Sequence, residues 1–166
     1  MTDLNQPLDI EAALEQMAQE ITALQLPNPL LIGIHTGGVW VAEALHARLA
    51  IRAPLGHLDI SFYRDDFSRI GLHPQVRPSH LPEPVDDRQI ILIDDVLHTG
   101  RTIRAALNEL FDYGRPEQVH LAVLAERNGR ELPIQADIAG LHLELPTDTY
   151  LHLQGPNPLK LSAVTR

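Results

Sequence analysis

Thirteen residues, Ile90 to Thr102 (IILIDDVLHTGRT), hold the densest chemistry in the chain. An apolar run ends at two adjacent carboxylates, Asp94 and Asp95, and a Thr99-Gly100-Arg101-Thr102 turn then opens a segment with helical spacing. A short run that is apolar throughout reads as a strand buried in a parallel sheet, so the acids fall at its carboxyl end, where open α/β sheets bind ligands. A helix start exposes unpaired amide N–H groups and the positive end of the dipole; Gly100 lets that backbone approach an anion, and the Thr99 and Thr102 hydroxyls add donors. This is a phosphate cradle. The carboxylates stand too close to a bound phosphate to be wanted for anion binding, but they suit hydrogen bonds from sugar hydroxyls about one ribose away. The combination points to a phosphorylated sugar. Taken singly, Asp and Thr are ordinary cap and turn residues, and it is their order that carries the inference. Neither a Walker loop nor a Gly-x-Gly-x-x-Gly fingerprint occurs.

Other elements must position this segment. Asp9 to Leu24 places Ile10, Leu14, Met17, Ile21 and Leu24 at three- and four-residue steps behind an Asp9 cap, which predicts an amphipathic helix ended by Pro27 and Pro29. Leu30 to Ile34, then His35-Thr36-Gly37-Gly38, then Val39 to Ala50 predicts strand, tight turn and helix. Leu55 to Tyr63 reads as a strand, and Arg64 to Glu83, with Pro74, Pro78 and Pro82, as a long loop of the kind more often functional than idle. Arg101 to Phe111 reads as helix and Val119 to Ala125 as a buried strand; Glu126 to Pro133 is polar and turn-like. Ile138 to Leu145 and Thr149 to Leu153 are weaker strands before a Pro-containing tail. Apolar strands alternating with helices predict an α/β fold with a mostly parallel sheet.

The 166 residues fit one domain spanning 1–166. Thirteen Lys plus Arg against twenty-two Asp plus Glu leave a formal charge of −9, which argues against a generic grip on polyanions. Cysteine is absent, so disulfides and thiolate zinc sites are excluded and a reducing compartment is allowed. With no signal-like start and no run of about 18 apolar residues, the expected location is cytoplasmic, away from membranes. The nine histidines show no ligand spacing, so no protein-built metal site is expected.

Ile90 to Thr102 resembles the PRPP-binding motif of type I phosphoribosyltransferases, departing from the usual small or acidic residue at His98. LDISFYRDD (Leu58 to Asp66), DDVLHTGRTIRAAL (Asp94 to Leu107), YGRP (Tyr113 to Pro116) and RELPI (Arg130 to Ile134) extend the resemblance to the pyrimidine-operon regulator family, PyrR, over roughly Leu30 to Tyr150. The resemblance implies the type I phosphoribosyltransferase fold: a mostly parallel central sheet flanked by helices, with a small hood and a flexible loop. It implies transfer of the phosphoribosyl group of PRPP to uracil, giving UMP and pyrophosphate, together with control of pyrimidine gene expression. Two alternatives stay open: a regulator that senses PRPP or UMP/UTP with little catalysis, and a phosphoribosyltransferase for another base.

Site residues follow from the same resemblance. Asp94 and Asp95 hold the ribose hydroxyls and lie on the side where positive charge develops, while Val96, Leu97, His98, Thr99, Gly100, Arg101 and Thr102 wrap the 5′-phosphate. Thr36, Gly37 and Gly38 form the pyrophosphate turn, although better-known relatives carry Arg where Gly37 stands, and the lost guanidinium removes a charge-assisted contact. Arg64, ahead of Arg69 and Arg77, is the favoured replacement cation from the flexible loop. Segment Arg127 to Ile134 supplies part of the hood over the base, where backbone amides can read the uracil edge, with Arg130, Glu131, Leu132, Pro133 and Ile134 as the base-binding residues, unless Arg130 and Glu131 only pair with each other. Purine enzymes of this type carry Asp where His98 stands, which favours a pyrimidine. Mg²⁺ is implied, carried mainly by PRPP. The expected partners are PRPP, uracil, UMP/UTP, a pyrimidine-operon mRNA leader or another regulatory partner, and further copies of the chain as a homodimer or higher homo-oligomer. Trp40 suits either such an interface or the core.

Overall fold

The computed structural model describes residues 7–60 and 79–166. Helix α1 covers Ile10–Ala23, and its Asp9 cap accepts a hydrogen bond from the Ala12 amide at 3.0 Å, as the sequence predicts. Strand β1 (Leu30–Ile34) leads into α2 (Gly37–Arg48), β2 (Gly56–Leu58), β3 (Gln89–Leu97) and α3 (Arg101–Asp112). Then come β4 (Gln118–Arg127), β5 (Ile138–Leu143), β6 (Thr149–Gln154) and β7 (Lys160–Thr165).

Five strands form one sheet in the order β2-β1-β3-β4-β5, every pairing parallel. Neighbouring residues of the central strands feed opposite layers. Leu31, Ile91, Ile93 and Leu124 pack with Leu14, Met17, Val41 and Leu45 of α1 and α2, whereas Leu30, Ile32, Ile90, Leu92 and Val123 pack with Ile103, Ala106 and Leu110 of α3. That two-sided burial is why Leu30 to Ile34 and Ile90 to Ile93 are apolar without alternation. Each fully buried Leu or Ile contributes roughly 1.5–3 kcal/mol, which makes the central strands the rigid floor of the molecule.

Several expected boundaries move. β3 does not break at Asp94 but runs through both acids to Leu97, because pairing with β4 continues at Asp94↔Val123, Val96↔Ala125 and Leu97↔Glu126. β4 likewise extends through Glu126 and Arg127, which the sequence reads as turn. Of the strand expected over Leu55 to Tyr63, the described part is Gly56–Leu58; Ser61 to Tyr63 lie outside the described residues. The expected Pro-containing tail is a strand, β7, antiparallel to β6 from Thr149↔Thr165 to Gln154↔Lys160. Pro156 and Pro158 occupy its turn, and Leu161 is the single buried residue of β7, too weak a signal for alternation. Trp40 is half-buried against this hairpin: a methyl group on Gly155 would approach its ring to 2.9 Å. Among the described residues no helix is long and apolar enough to cross a membrane.

Candidate active site

In a 2-1-3-4-5 parallel sheet the strand order reverses between β1 and β3, and the loops leaving their carboxyl ends diverge to opposite faces and open a crevice. Both predicted motifs lie there. α2 begins so close to β3 that a methyl group on Gly37 would stand 2.2 Å from Asp95 Oδ2, and one on Gly38 would stand 2.6 Å from the Ile93 carbonyl oxygen. Only residues without a Cβ allow this approach. Asp94 is 5% exposed and Asp95 half-buried. Asp94 Oδ1 accepts the Asp95 amide at 2.9 Å and Asp95 Oδ1 accepts the Val96 amide at 2.7 Å, which fixes both carboxylates. On the opposite wall the His35 amide donates to the Leu58 carbonyl, and the Thr36 carbonyl accepts from the Val39 and Trp40 amides. The His35–Thr36 peptide is cis.

Leu97 is buried at the end of β3, and beyond it Gly100 adopts φ +96° and caps α3. Thr99 Oγ1 accepts the Arg101 amide at 3.2 Å, while Arg101 and Thr102 are exposed at the helix start. The hood segment closes onto this loop. The Thr99 carbonyl accepts the Glu131 and Leu132 amides at 3.0 and 3.1 Å, and the Leu132 and Ile134 side chains lie where a methyl on Gly100 would meet them at 3.4 Å. Leu132 and Ile134 thus brace the loop from Thr99 to Thr102, with Pro133 exposed between them. The expected alternative pairing of Glu131 with Arg130 is not found; Glu131 reaches Arg101 at 3.5 Å, because its backbone is already tied to the loop that carries Arg101.

Arg130 instead lines an open cleft of about 530 Å³ at the carboxyl ends of β4 and β5, with Arg127, Asn128, Gly129, His142 and Glu144. His98 meets this cleft wall: a methyl on Gly129 would stand 2.8 Å from its Nε2. Burial, then the nearby Arg127 charge, hold the His98 imidazole below its usual pKa, with Glu131 opposing, so it is neutral at pH 7. The sequence reading places Arg127 and Asn128 in the hood segment but says nothing of their side chains, because a polar stretch after a strand gives no signal that they turn inward.

Arg64, with Arg69 and Arg77, lies outside the described residues. The chain leading back from that segment is pinned: Ser79 Oγ accepts the Asp59 amide at 2.9 Å and donates to Glu109 at 3.0 Å, and His80 pairs with His57 through both backbone groups. No cluster of three metal-ligating side chains occurs among the described residues. The Asp94–Asp95 pair nevertheless fits a hard cation that keeps its waters and needs one or two carboxylates beside substrate phosphates.

Residues 2–155 match the family model of the phosphoribosyl transferase domain. A protein of Nitrosococcus oceani named bifunctional protein PyrR is 57% identical over 161 residues, covering 93% of this chain and 91% of its own. One of the same name from Pseudomonas paraeruginosa is 60% identical over 136 residues, covering 82% and 80%. Among solved structures, a hypoxanthine-guanine phosphoribosyltransferase of Bacillus anthracis superposes with TM-score 0.68 at 15% identity, covering 90% and 88%. A purine phosphoribosyltransferase of Pyrococcus horikoshii gives 0.62 at 24%, covering 81% and 82%. The two superpositions establish a shared fold and the two relatives a shared family: the chain belongs to the PyrR family of phosphoribosyltransferase-domain proteins.

Proposed function

We propose that this chain transfers the phosphoribosyl group of PRPP to uracil, giving UMP and pyrophosphate, and also regulates pyrimidine gene expression. One observation carries the reading: a carboxylate pair and a phosphate loop are joined on the edge of one strand, directly facing a glycine turn. These are the groups that one phosphorylated sugar with a second phosphate arm requires. The relatives' name, bifunctional protein PyrR, supports the choice of base and the second role.

In the reaction the bond between the anomeric carbon and the pyrophosphate oxygen breaks, the bond to uracil N1 forms, and the N1 proton leaves. Positive charge grows on the ribose ring and negative charge on the departing group. Asp94 and Asp95 bind the ribose hydroxyls and stabilise the ring, the α3 start with Thr99 and Thr102 anchors the 5′-phosphate, and the turn at Thr36 to Gly38 presents amides to pyrophosphate. Arg64 supplies a cation to the leaving group. Asp94 and Asp95 are the residues that would hold Mg²⁺ arriving with PRPP, which would supply charge neutralisation there. Val96 leads from the acids into the phosphate loop, Leu97 supports that loop from the core beneath it, and Arg130 meets the base. His98, neutral at pH 7, can donate one hydrogen bond but brings no charge.

A second reading, a nucleotide-sensing regulator with little transferase activity, is favoured by Gly37, which leaves the pyrophosphate turn without its own cation. Initial rates with uracil, orotate, hypoxanthine and xanthine separate the possibilities: PRPP-dependent turnover with uracil is expected, and turnover of none of the four would leave the sensing role alone. The regulatory arm acts in the cytoplasm through an mRNA leader or a protein partner. A charge of −9 and a single lysine predict weak, salt-sensitive contact with RNA. Filter binding to the leader with and without UMP tests this, and retention that ignores UMP refutes nucleotide-dependent RNA control. Self-association as a homodimer or higher oligomer is checked by sedimentation.

A further inference from the structure

Arg127 ends β4, is 6% exposed, and makes no ion pair with a carboxylate among the described residues. A buried guanidinium without a counter-charge persists only where its N–H groups are well used. Those of Arg127 go to backbone carbonyls: Nη1 to Thr149, Nη2 to Pro146 at 3.3 Å and Nε to Asn128 at 3.2 Å. The next residue continues the clamp. Asn128 Nδ2 donates to the Leu145 carbonyl at 3.1 Å and its Oδ1 accepts the Leu145 amide at 2.8 Å, while its own amide donates to the Leu143 carbonyl at 3.3 Å. Side chains here extend the β4–β5 pairing past the strand ends, where Pro146 has no N–H to offer.

The short run from Arg127 to Leu132 is therefore tied at both ends. Its first two residues grip the β5–β6 connection, and the amides of Glu131 and Leu132 donate to Thr99 in the phosphate loop. Between these ties lies the wall of the 530 Å³ cleft. A base joined to a ribose whose 5′-phosphate sits on Thr99 to Thr102 lies one nucleoside length from that loop, so its fit depends on where this wall stands. We propose that Arg127, seconded by Asn128, is a positioning residue that sets the spacing between the cleft wall and the phosphate loop and thereby the affinity for the base. Gly129, the residue after the clamp, lies so close to the loop that a methyl on it would stand 2.8 Å from His98 Nε2. The proposal rests on the transferase reading.

The test compares Arg127→Met, Arg127→Lys and wild type in initial rates, varying uracil and PRPP in turn. Arg127→Met is expected to raise KM for uracil tenfold or more with KM for PRPP within threefold, and Arg127→Lys to recover most of the loss. A readout free of turnover accompanies it: NMR titration of His98 in the ligand-free protein should show a higher pKa in Arg127→Met than in wild type or Arg127→Lys. A folded Arg127→Met protein whose two KM values stay put or rise together, or whose His98 titrates as in wild type, overturns the proposal. If Arg127→Met does not fold, Asn128→Ala is expected to show the same split, and equal KM changes there overturn it. Wild type inactive on uracil would sink the transferase reading, and the His98 titration would still decide whether the clamp reaches the loop.

Discussion

Gly38→Ala tests how the crevice is built. A methyl group at Gly38 would stand 2.6 Å from the Ile93 carbonyl oxygen and 3.0 Å from Asp94 Cα. Both are β3 backbone atoms, held by parallel pairing of Ile93 to Ala122 and Asp94 to Val123, so α2 must lift. Reaching ordinary contact at 3.4 Å requires a shift of about 0.8 Å. Overpacking of this kind costs about 1–3 kcal/mol, of which alanine's better helix propensity returns up to about 1 kcal/mol. For a chain of this size the remaining cost, up to about 2 kcal/mol after that return, lowers Tm by up to about 8 °C. The same lift moves the pyrophosphate turn away from the acids, and misplacement approaching 1 Å costs on the order of 100-fold in rate. The neighbouring glycine is the control. A methyl at Gly37 meets only Asp95 side-chain atoms, Oδ2 at 2.2 Å, Cγ at 2.7 Å and Cβ at 3.0 Å, so Gly37→Ala must push aside the carboxylate that the Val96 amide holds rather than the β3 backbone, and should cost less stability than Gly38→Ala while still lowering kcat/KM. Calorimetric Tm and kcat/KM for PRPP, measured on both variants, give the ranking. Gly38→Ala with Tm and kcat/KM unchanged, or Gly37→Ala the less stable of the two, would refute this account of the crevice.

Replacing Asp94 and Asp95 together by Asn keeps the side-chain oxygens that hold the Asp95 and Val96 amides but removes charge-assisted hydrogen bonds worth about 1.5–3 kcal/mol each. UMP formation should fall by two to four orders of magnitude while circular dichroism is unchanged, and undiminished turnover would end the active-site assignment. Gly100→Ala forces an L-residue to φ +96° at a cost of roughly 1–2 kcal/mol, read as a lower urea midpoint with weaker ribose 5-phosphate binding; an unaltered midpoint contradicts the left-handed cap. His98 has a folded pKa below 6.5, with burial the leading cause, so the unfolded chain binds more protons as pH falls through 6.5. The stability it contributes is present above that value and is lost toward the folded pKa. His98→Gln should flatten the urea-midpoint profile between pH 5 and 7, and an identical profile would show that another group titrates there.

The elements that carry the proposed site are legible because they are local in sequence. Asp94, Asp95 and Thr99 to Thr102 sit within nine residues, and the strand, turn and helix that carry them follow from an apolar run, a glycine and helical spacing. The crevice position also follows, since alternating strands and helices imply a parallel sheet whose carboxyl edge collects the loops. What stayed hidden depends on contacts between distant residues. The sequence marks the first strand of the β6–β7 hairpin, as a weak strand over Thr149 to Leu153, but not its return, because Leu153 and Leu161 become partners only through packing across the turn.

Arg127 shows the limit most sharply. In the sequence it opens a polar, turn-like stretch expected to cover the base through its backbone, and nothing there marks its side chain as buried. Its role arises because β4 runs two residues past its apolar core, carrying the guanidinium under a loop rich in carbonyls, 19 and 22 residues away in the chain. A strand end is decided by whether its neighbour keeps pairing, and β5 does so as far as Arg127↔Leu143. The same continuation carries β3 through its acids. The residues proposed to bind phosphate and sugar are therefore readable from their types and order, whereas those that set distances between them depend on register, which only the assembled sheet defines.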